Sequence, residues 1–169
     1  PIDVAIRKKL AEIKDSRNVS ADKELLPKHL QKIVKLPKYA RVNLLKYTTK
    51  AALNEMKDIG AKLDPHVDDL LVFPPDTVLY EHPLVKEGKI LLQDKASCFP
   101  GMILMEKGPH GGDAIDCCAA PGNKTSHLAA NMASKGDKGK VYAFEKDPKR
   151  CKLLEKRMIE ASASNVETT

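Results

Sequence analysis

The 169-residue chain is poor in the residues that build several common kinds of site. It has no tryptophan and only 4% aromatic residues, which argues against a broad surface for stacking unpaired RNA bases. Its four cysteines form no Cys-x-x-Cys pair, so neither a disulfide framework nor a zinc site is expected. No apolar run approaches the roughly eighteen residues of a membrane span, and the chain start lacks signal-peptide features. We therefore expect no metal, no membrane partner, and a protein of the cytosol or nucleus.

Positive charge is concentrated at the beginning of the chain. Residues 1–58 hold 14 Lys and Arg against 7 Asp and Glu, whereas residues 59–169 hold 15 against 16. Such an excess can neutralise RNA phosphates, although a solvated helix face is the alternative explanation. The candidate RNA contacts are three lysines with the spacing of one helix face and three basic residues after them: Lys28, Lys32, Lys35, Lys38, Arg41 and Lys46.

The most informative stretch is 116–125, Asp-Cys-Cys-Ala-Ala-Pro-Gly-Asn-Lys-Thr, between a short apolar strand at 114–115 and a predicted helix at 124–133. In an open α/β sheet, the loop after a strand binds a nucleotide-like cofactor, and small residues allow its close approach. Asn123 stands where a phosphate-binding loop needs glycine, and Gly122 is alone where a dinucleotide fingerprint needs three glycines. A cofactor without phosphates fits better; the alternative is merely a tight turn.

Glu145 is the second candidate site residue. It follows the apolar run at 141–144 and lies 23 residues beyond Gly122. A doubly wound fold places the acid that binds a ribose at about this distance from the glycine loop. The loop and the acid together therefore predict half of a nucleoside-cofactor site.

Apolar spacing and turn residues predict three segments. Residues 1–36 form a basic helical segment, with Ile6, Leu10 and Ile13 on a helix that Asp3 can cap and residues 17–20 interrupt, and with Leu26, Leu30, Ile33 and Val34 on a second helix. Residues 37–93 form an α+β RNA-binding module, with strands near 39–45, 69–73, 78–80 and 89–93 and a helix from 48 or 49 to Ile59, ended by Gly60. Residues 94–169 hold two strands, at 114–115 and 141–144, and a last helix opened by Asp147-Pro148.

Four motifs in order carry a family resemblance. They are 41–46 (Arg-Val-Asn-Leu-Leu-Lys), 93–97 (Gln-Asp-Lys-Ala-Ser), 116–125, and 143–147 (Ala-Phe-Glu-Lys-Asp). From about Leu36 to its end the chain resembles the Nop/Sun family of RNA cytosine-5 methyltransferases. Within that family it is most similar to the eukaryotic branch that methylates large-subunit ribosomal RNA.

The resemblance implies an α/β fold class: the start of a seven-stranded, Rossmann-like methyltransferase fold that uses S-adenosylmethionine, preceded by a small α+β module. Cofactor contacts are then expected from the loop, the ribose-binding acid and one arginine of the last helix: Cys118, Ala119, Ala120, Pro121, Gly122, Asn123, Lys124, Glu145 and Arg150. Glu145 departs from the family pattern, because relatives usually carry Asp there.

The catalytic cysteines of the family lie in Pro-Cys and Thr-Cys motifs, and this chain contains neither dipeptide. We therefore assign no catalytic residue, and none of its own cysteines a nucleophilic role. We expect the chain to be a fragment of a longer enzyme, truncated before the sheet is complete and inactive alone.

The resemblance implies transfer of a methyl group to a cytosine of large-subunit ribosomal RNA, within a pre-ribosomal particle in the nucleolus. One alternative is a ribosome-assembly factor that binds pre-ribosomal RNA without essential catalysis. Another is a small-molecule or protein methyltransferase, which would share the cofactor loop but not the Arg-Val-Asn motif or the basic segment.

Overall fold

The computed structural model describes residues 2–28, 35–108 and 111–169. The chain divides into two compact units, Pro1–Leu36 and Pro37–Thr169. Within the three described ranges, no helix has both the length and the apolar character needed to cross a membrane.

The first unit contains helix α1, Ile2–Arg17, and a 3-10 turn, Asp22–Leu25. The predicted helix and its interruption after Arg17 are confirmed, and Asn18 takes a left-handed φ of 53° at the break. Asp3 lies inside the first turn and pairs with Arg7 at 3.0 Å, so it is not the cap that was expected. The second predicted helix was expected to carry Leu26, Leu30, Ile33 and Val34. Leu26 caps the end of the 3-10 turn, and the other three residues lie outside the described part of the chain, so this helix stays a prediction.

The second unit begins with a four-stranded antiparallel sheet in the order β2-β3-β1-β4. Its strands are β1 (Lys38–Val42), β2 (Lys62–Leu63), β3 (Leu70–Phe73) and β4 (Ile90–Leu92), and its helices are α2 (Thr49–Glu55) and α3 (Pro83–Lys86). Strands predicted near 39–45, 69–73 and 89–93 are confirmed, and each is shorter than predicted, although β1 starts one residue earlier. The short β2 was not predicted.

The predicted strand at 78–80 is wrong. This segment lies in the loop between β3 and α3, where the amide of Thr77 donates to the Pro74 carbonyl at 3.1 Å and closes a turn. Of its three apolar residues only Leu79 is buried, while Val78 and Tyr80 face solvent. The three apolar residues therefore resemble a strand in sequence, although only one of them packs into the core.

The predicted start of α2 is confirmed, whereas the α-helix itself ends at Glu55, before the predicted Ile59. The Thr48 side chain accepts a hydrogen bond from the Ala51 amide and caps the helix. A 3-10 turn, Lys57–Ile59, continues the chain to Gly60, whose φ of 83° is left-handed. Few residues other than glycine adopt that conformation without strain, which explains why the helical segment stops here.

A parallel three-stranded sheet, ordered β5-β6-β7, forms the rest of the unit. It consists of β5 (Ala114–Asp116), β6 (Val141–Ala143) and β7 (Val166–Thr168), with helices α4 (Phe99–Lys107), α5 (Asn123–Ser134) and α6 (Pro148–Glu160). Two strands were expected after residue 113, and β7 is a third. Val166 is its one apolar residue, so the sequence carried too little signal to predict it.

Each sheet has its own apolar core. Ala40, Val42 and Phe73 belong to the core of the antiparallel sheet, and Val141 and Leu154 to that of the parallel sheet. The β-α-β-α-β order with all strands parallel is the start of a Rossmann-like α/β fold, as predicted.

Candidate cofactor site

The loop from β5 to α5 is held in place by Asp116, the last residue of β5. One carboxylate oxygen accepts a hydrogen bond from the Thr125 hydroxyl at 2.8 Å, and the other accepts from the Cys118 amide at 3.2 Å. The Gly122 amide donates to the Ala119 carbonyl at 2.8 Å, and the Ala120-Pro121 peptide bond is cis. Asp116 thus fixes both ends of the loop, a role that sequence analysis missed.

The loop is also bonded to the end of β6. The Phe144 amide donates to the Asp116 carbonyl at 2.8 Å, and the Ala119 amide donates to the Phe144 carbonyl at 3.1 Å. These bonds place the ends of two adjacent parallel strands side by side, where ligands bind in open α/β sheets. Ala119 and Ala120 are buried at this junction, while Cys118 and Pro121 are exposed.

Gly122 has a different role from the one expected. A Cβ atom built on it would lie 2.5 Å from Met158 Cε and 3.0 Å from Leu154 Cδ1, both on α6. A side chain at this position would therefore point into α6 and not across the path of a cofactor. The φ of 103° also favours glycine.

Glu145 lies just beyond β6, and its side chain is only 5% exposed. Its Oε1 atom accepts a hydrogen bond from the Asp147 amide at 3.0 Å. Its Oε2 atom is buried and has no hydrogen-bond partner among the described residues. A buried acceptor without a donor is costly unless a ligand supplies one, and this oxygen fits the hydroxyl of a ribose.

Arg150 connects the acid to the loop. Its Nη2 atom donates to the Ala120 carbonyl at 2.8 Å and lies 3.4 Å from Glu145 Oε2, close enough for an ion pair but without hydrogen-bond geometry. Asp147 positions this arginine, because its carboxylate caps α6 by accepting from the amides of Lys149 and Arg150. The predicted cap of the last helix is confirmed.

Two predicted cofactor residues face another part of the structure. The Asn123 amide nitrogen donates to the Leu92 carbonyl at 3.2 Å, and its oxygen accepts from Arg157 at 3.4 Å. The exposed Lys124 ammonium lies 3.5 Å from the Ser97 hydroxyl. These contacts join the start of α5 to the end of β4 and to the segment after it. The predicted cofactor residues therefore fall into two groups, with Ala119, Ala120, Glu145 and Arg150 on one side and Asn123 and Lys124 on the other.

Arg41 was predicted to contact RNA, and the structure corrects this. Its side chain is 0% exposed, and its guanidinium donates to Gln93 at 3.0 Å and to the Ser126 hydroxyl at 3.0 Å. Burial lowers the pKa of Arg41 to about 10, although the Asp69 carboxylate opposes the shift. Residues alternate along a strand, so Arg41 faces α5 while Ala40 and Val42 enter the apolar core.

The other predicted RNA contacts remain accessible wherever they are described. Lys28 and Lys35 are exposed in the first unit, and Lys32 lies outside the described residues. In the second unit, Lys38 donates to the Thr77 carbonyl at 2.7 Å, and Lys46 donates to the carbonyls of Glu87 and Glu160.

Sequence analysis also missed a buried contact between a histidine and a carboxylate behind the loop. His127 on α5 is 0% exposed, and its Nε2 atom lies 3.2 Å from Asp69 Oδ2. Burial lowers the pKa of His127, and the nearby Asp69 carboxylate opposes that shift. The two residues are 58 positions apart in sequence, so no local signal pointed to this contact.

Cys98 is not placed as an activated nucleophile. Cys98 is buried, and burial raises its pKa to about 11, which keeps the thiol protonated. Across ranges 2–28, 35–108 and 111–169, no group of three or more His, Cys, Asp or Glu side chains could hold a metal ion.

Two family models match separate parts of the chain. Residues 60–93 match the ferredoxin-like domain of NOL1/NOP2/Sun domain family member 5. Residues 103–167 match the 16S rRNA methyltransferase RsmB/F family. The two matches fall on the antiparallel and the parallel sheets, respectively.

Known proteins agree with these models. The chain is 36% identical to a 28S rRNA (cytosine-C(5))-methyltransferase of Mus musculus over 95% of this chain, and 37% identical to the 25S rRNA (cytosine-C(5))-methyltransferase rcm1 of Schizosaccharomyces pombe over 92%. It spans 41% and 35% of the lengths of these two relatives. A methyltransferase homolog from Pyrococcus horikoshii superimposes with a TM-score of 0.66 at 28% identity, covering 78% of this chain and 43% of that one.

The family models match the two sheets of the chain in order. Within the second sheet, the loop after β5 and Glu145 after β6 lie at the ends of adjacent parallel strands. The chain belongs to the Nop/Sun family of RNA cytosine-5 methyltransferases, in the branch of the eukaryotic large-subunit ribosomal RNA enzymes.

Proposed function

We propose that the protein to which this chain belongs is an S-adenosylmethionine-dependent methyltransferase that acts on a cytosine of large-subunit ribosomal RNA. The mouse and fission yeast relatives are named as rRNA (cytosine-C(5))-methyltransferases, which supports this substrate and this reaction. In this proposal residues 94–169 hold the cofactor, and residues 1–36 and 37–93 form a basic segment and an α+β module that contact RNA.

The observation that carries the proposal is the buried Oε2 atom of Glu145, which has no hydrogen-bond partner in the described part of the chain. It lies 3.4 Å from Arg150 Nη2, which in turn is bonded to the Ala120 carbonyl in the loop. A ribose carries two adjacent hydroxyl donors, and a carboxylate at the end of the second parallel strand is suited to accept from both. The site therefore fits the nucleoside part of the cofactor.

S-adenosylmethionine, when bound, supplies an activated methyl group. The residues of this chain bind and orient it: Glu145 accepts from the ribose, and Ala119 and Ala120 allow the ligand to approach the backbone. Arg150 contacts both the loop and the Glu145 carboxylate, so it fixes the position of the loop relative to Glu145. Cys118, Pro121 and Gly122 complete the proposed contact surface, whereas Asn123 and Lys124 face the end of β4 and the segment after it.

The proposed partner is ribosomal RNA in a pre-ribosomal large-subunit particle, and the proposed location is the nucleolus. The names of the large-subunit relatives and the excess of Lys and Arg over residues 1–58 support ribosomal RNA as the partner.

The test is calorimetric titration of the full-length protein with S-adenosylmethionine. Glu145→Gln should weaken binding more than tenfold, because a hydrogen bond to a charged group contributes about 1.5–3 kcal/mol. The matched control is Glu155→Gln, an equal change at an exposed position of α6, which should leave affinity unchanged.

A cofactor analogue without the 2′-hydroxyl separates a ribose contact from a general loss of structure. Glu145→Gln should weaken binding of this analogue less than it weakens binding of the normal cofactor. Equal losses for both ligands would contradict the ribose role. Cofactor and RNA binding without methyl transfer to cytosine would instead favour an assembly factor.

A further inference from the structure

We propose that Cys117 and Cys118 form a reversible oxidation site, at which a hydroperoxide closes a disulfide between the two neighbours and lowers the affinity for the cofactor. The inference rests on the proposed function, because the affinity that changes is the affinity for S-adenosylmethionine. The chain has four cysteines. These two are adjacent and exposed, whereas Cys98 is buried and Cys151 is half-buried.

Both thiols are accessible to a small oxidant, and the fold does not use either of them. The Cys98 thiol donates to the Asp94 carbonyl at 3.7 Å, but the sulfur atoms of Cys117 and Cys118 have no hydrogen-bond partner among the described residues. Cysteines that sense oxidants are exposed, and a second cysteine close by completes the disulfide. The adjacent pair in the turn after β5 meets both requirements.

The reaction oxidises two thiols and reduces one hydroperoxide. The thiolate of one cysteine attacks a peroxide oxygen, the O–O bond breaks, and the departing oxygen takes up a proton, which leaves a sulfenic acid on the protein. The sulfur of the neighbouring cysteine then attacks the sulfenic sulfur. The S–S bond forms, the S–O bond breaks, and water leaves. With hydrogen peroxide, two thiols and one peroxide therefore give one disulfide and two waters.

Adjacency makes the bridge easy to reduce. The peptide bond between Cys117 and Cys118 is trans, so their Cα atoms lie about 3.8 Å apart. Bridged cysteines usually have Cα atoms about 4.4–6.8 Å apart, so the closed ring is strained. Strained, exposed disulfides are the labile ones, and a thiol reductant can reopen this ring. The pair is therefore suited to a transient modification and not to a permanent crosslink.

Ring closure changes the cofactor loop at one of its fixed points. The Cys118 amide donates to the Asp116 carboxylate at 3.2 Å, and the same carboxylate accepts from the Thr125 hydroxyl in the first turn of α5. The next amide, that of Ala119, donates to the Phe144 carbonyl beyond β6. Closing the ring rotates the backbone between the two cysteines and pulls the Cys118 amide away from Asp116. The loop then loses the shape that the proposed cofactor site requires.

The experiment treats the reduced full-length protein with hydrogen peroxide, removes the excess and divides the sample. Mass spectrometry of the tryptic peptide 108–124, which contains these two cysteines and no other, should show the loss of two hydrogens. Calorimetry of the other part should show binding of S-adenosylmethionine that is more than tenfold weaker, as expected when a hydrogen bond to a charged group is broken. Dithiothreitol should reverse both changes.

Cys117→Ser cannot close the ring, and it should keep wild-type cofactor affinity both before and after peroxide. This position is chosen because Cys118 belongs to the proposed cofactor contacts. The matched control is Cys151→Ser, at the half-buried cysteine of α6, which should lose affinity after peroxide as the wild type does.

Each contrary outcome has a distinct meaning. A peptide that remains a dithiol, or unchanged cofactor affinity in a protein whose ring has closed, overturns the oxidation site and leaves the proposed function intact. An equal loss of affinity in Cys117→Ser assigns the sensitivity to another cysteine and also overturns the site. A reduced wild type without affinity for S-adenosylmethionine overturns the proposed function and the effect on affinity, and the peptide alone then decides whether the ring forms.

Discussion

The Nη2 atom of Arg41 donates a hydrogen bond of 3.0 Å to the hydroxyl of Ser126, which lies 85 residues later in the chain. Two positions after Arg41, the Asn43 side chain donates to the Ala161 carbonyl at the end of α6, at 2.9 Å. The Arg-Val-Asn motif therefore connects the antiparallel sheet to both helices that flank the cofactor loop. Its two polar residues lie on the face of the chain opposite the buried Val42.

The first prediction concerns this connection. Arg41→Met should lower the free energy of unfolding by about 3–5 kcal/mol, because it removes one member of a buried charge cluster and leaves Asp69 without its counter-charge. Denaturant unfolding measures the change. Lys38→Met, which alters an exposed cation on the same strand, should cost less than about 0.5 kcal/mol. Equal costs for the two variants would show that the buried guanidinium does not stabilise the fold.

The second prediction concerns Gly122. Gly122→Ala should destabilise the protein by about 1–2 kcal/mol, because alanine is strained at a φ of 103° and its Cβ would displace the ends of Met158 and Leu154. Gly122→Val should cost more, since branched side chains fit left-handed backbone poorly. At a temperature where Gly122→Ala remains folded, its cofactor affinity should stay near wild type. A large loss of affinity with unchanged stability would mean that the side chain projects into the cofactor crevice after all.

Local signals made the cofactor half of the site predictable from sequence. A small-residue loop after a strand, an acid at the end of the next strand and the Asp147-Pro148 cap each depend on residues close together in the chain. The structure places Glu145 and Ala120 around one arginine, as such a site requires. Contact of these residues with a cofactor stays a prediction.

Contacts between distant segments were not predictable. Arg41 lies within a basic stretch and resembles its exposed neighbours in sequence, but α5 covers its face of the strand. The same reason applies to His127, whose partner Asp69 lies far away in sequence, in the turn before β3. Strand β7 was missed for a different cause, because parallel pairing with β6 defines it more than its own composition does.

The third prediction concerns pH. Burial lowers the pKa of His127 in the folded protein, so below about pH 6.5 the unfolded chain binds a proton that the folded state does not. Stability should therefore fall as pH decreases through the unfolded-state pKa, with a slope of at most about 1.4 kcal/mol per pH unit for this one proton. His127→Gln should flatten this part of the stability profile, measured by denaturant unfolding between pH 7.5 and 5.5. His66→Gln, at an exposed position, should not; an unchanged slope in His127→Gln would assign the pH dependence to other groups.

The last prediction tests the basic segment as an RNA contact surface. Changing Lys28, Lys32 and Lys35 together to Gln should weaken ribosomal RNA binding by the full-length protein, and should make the slope of log affinity against log salt shallower by up to about 3 units. The reason is that each lysine that contacts a phosphate releases about one counterion. A control with the same loss of charge replaces the exposed Lys135, Lys138 and Lys152 by Gln, and it should leave the slope nearly unchanged. If both triple variants shift the slope equally, net charge alone attracts the RNA; if neither does, the segment is a solvated surface and RNA is held by the second unit.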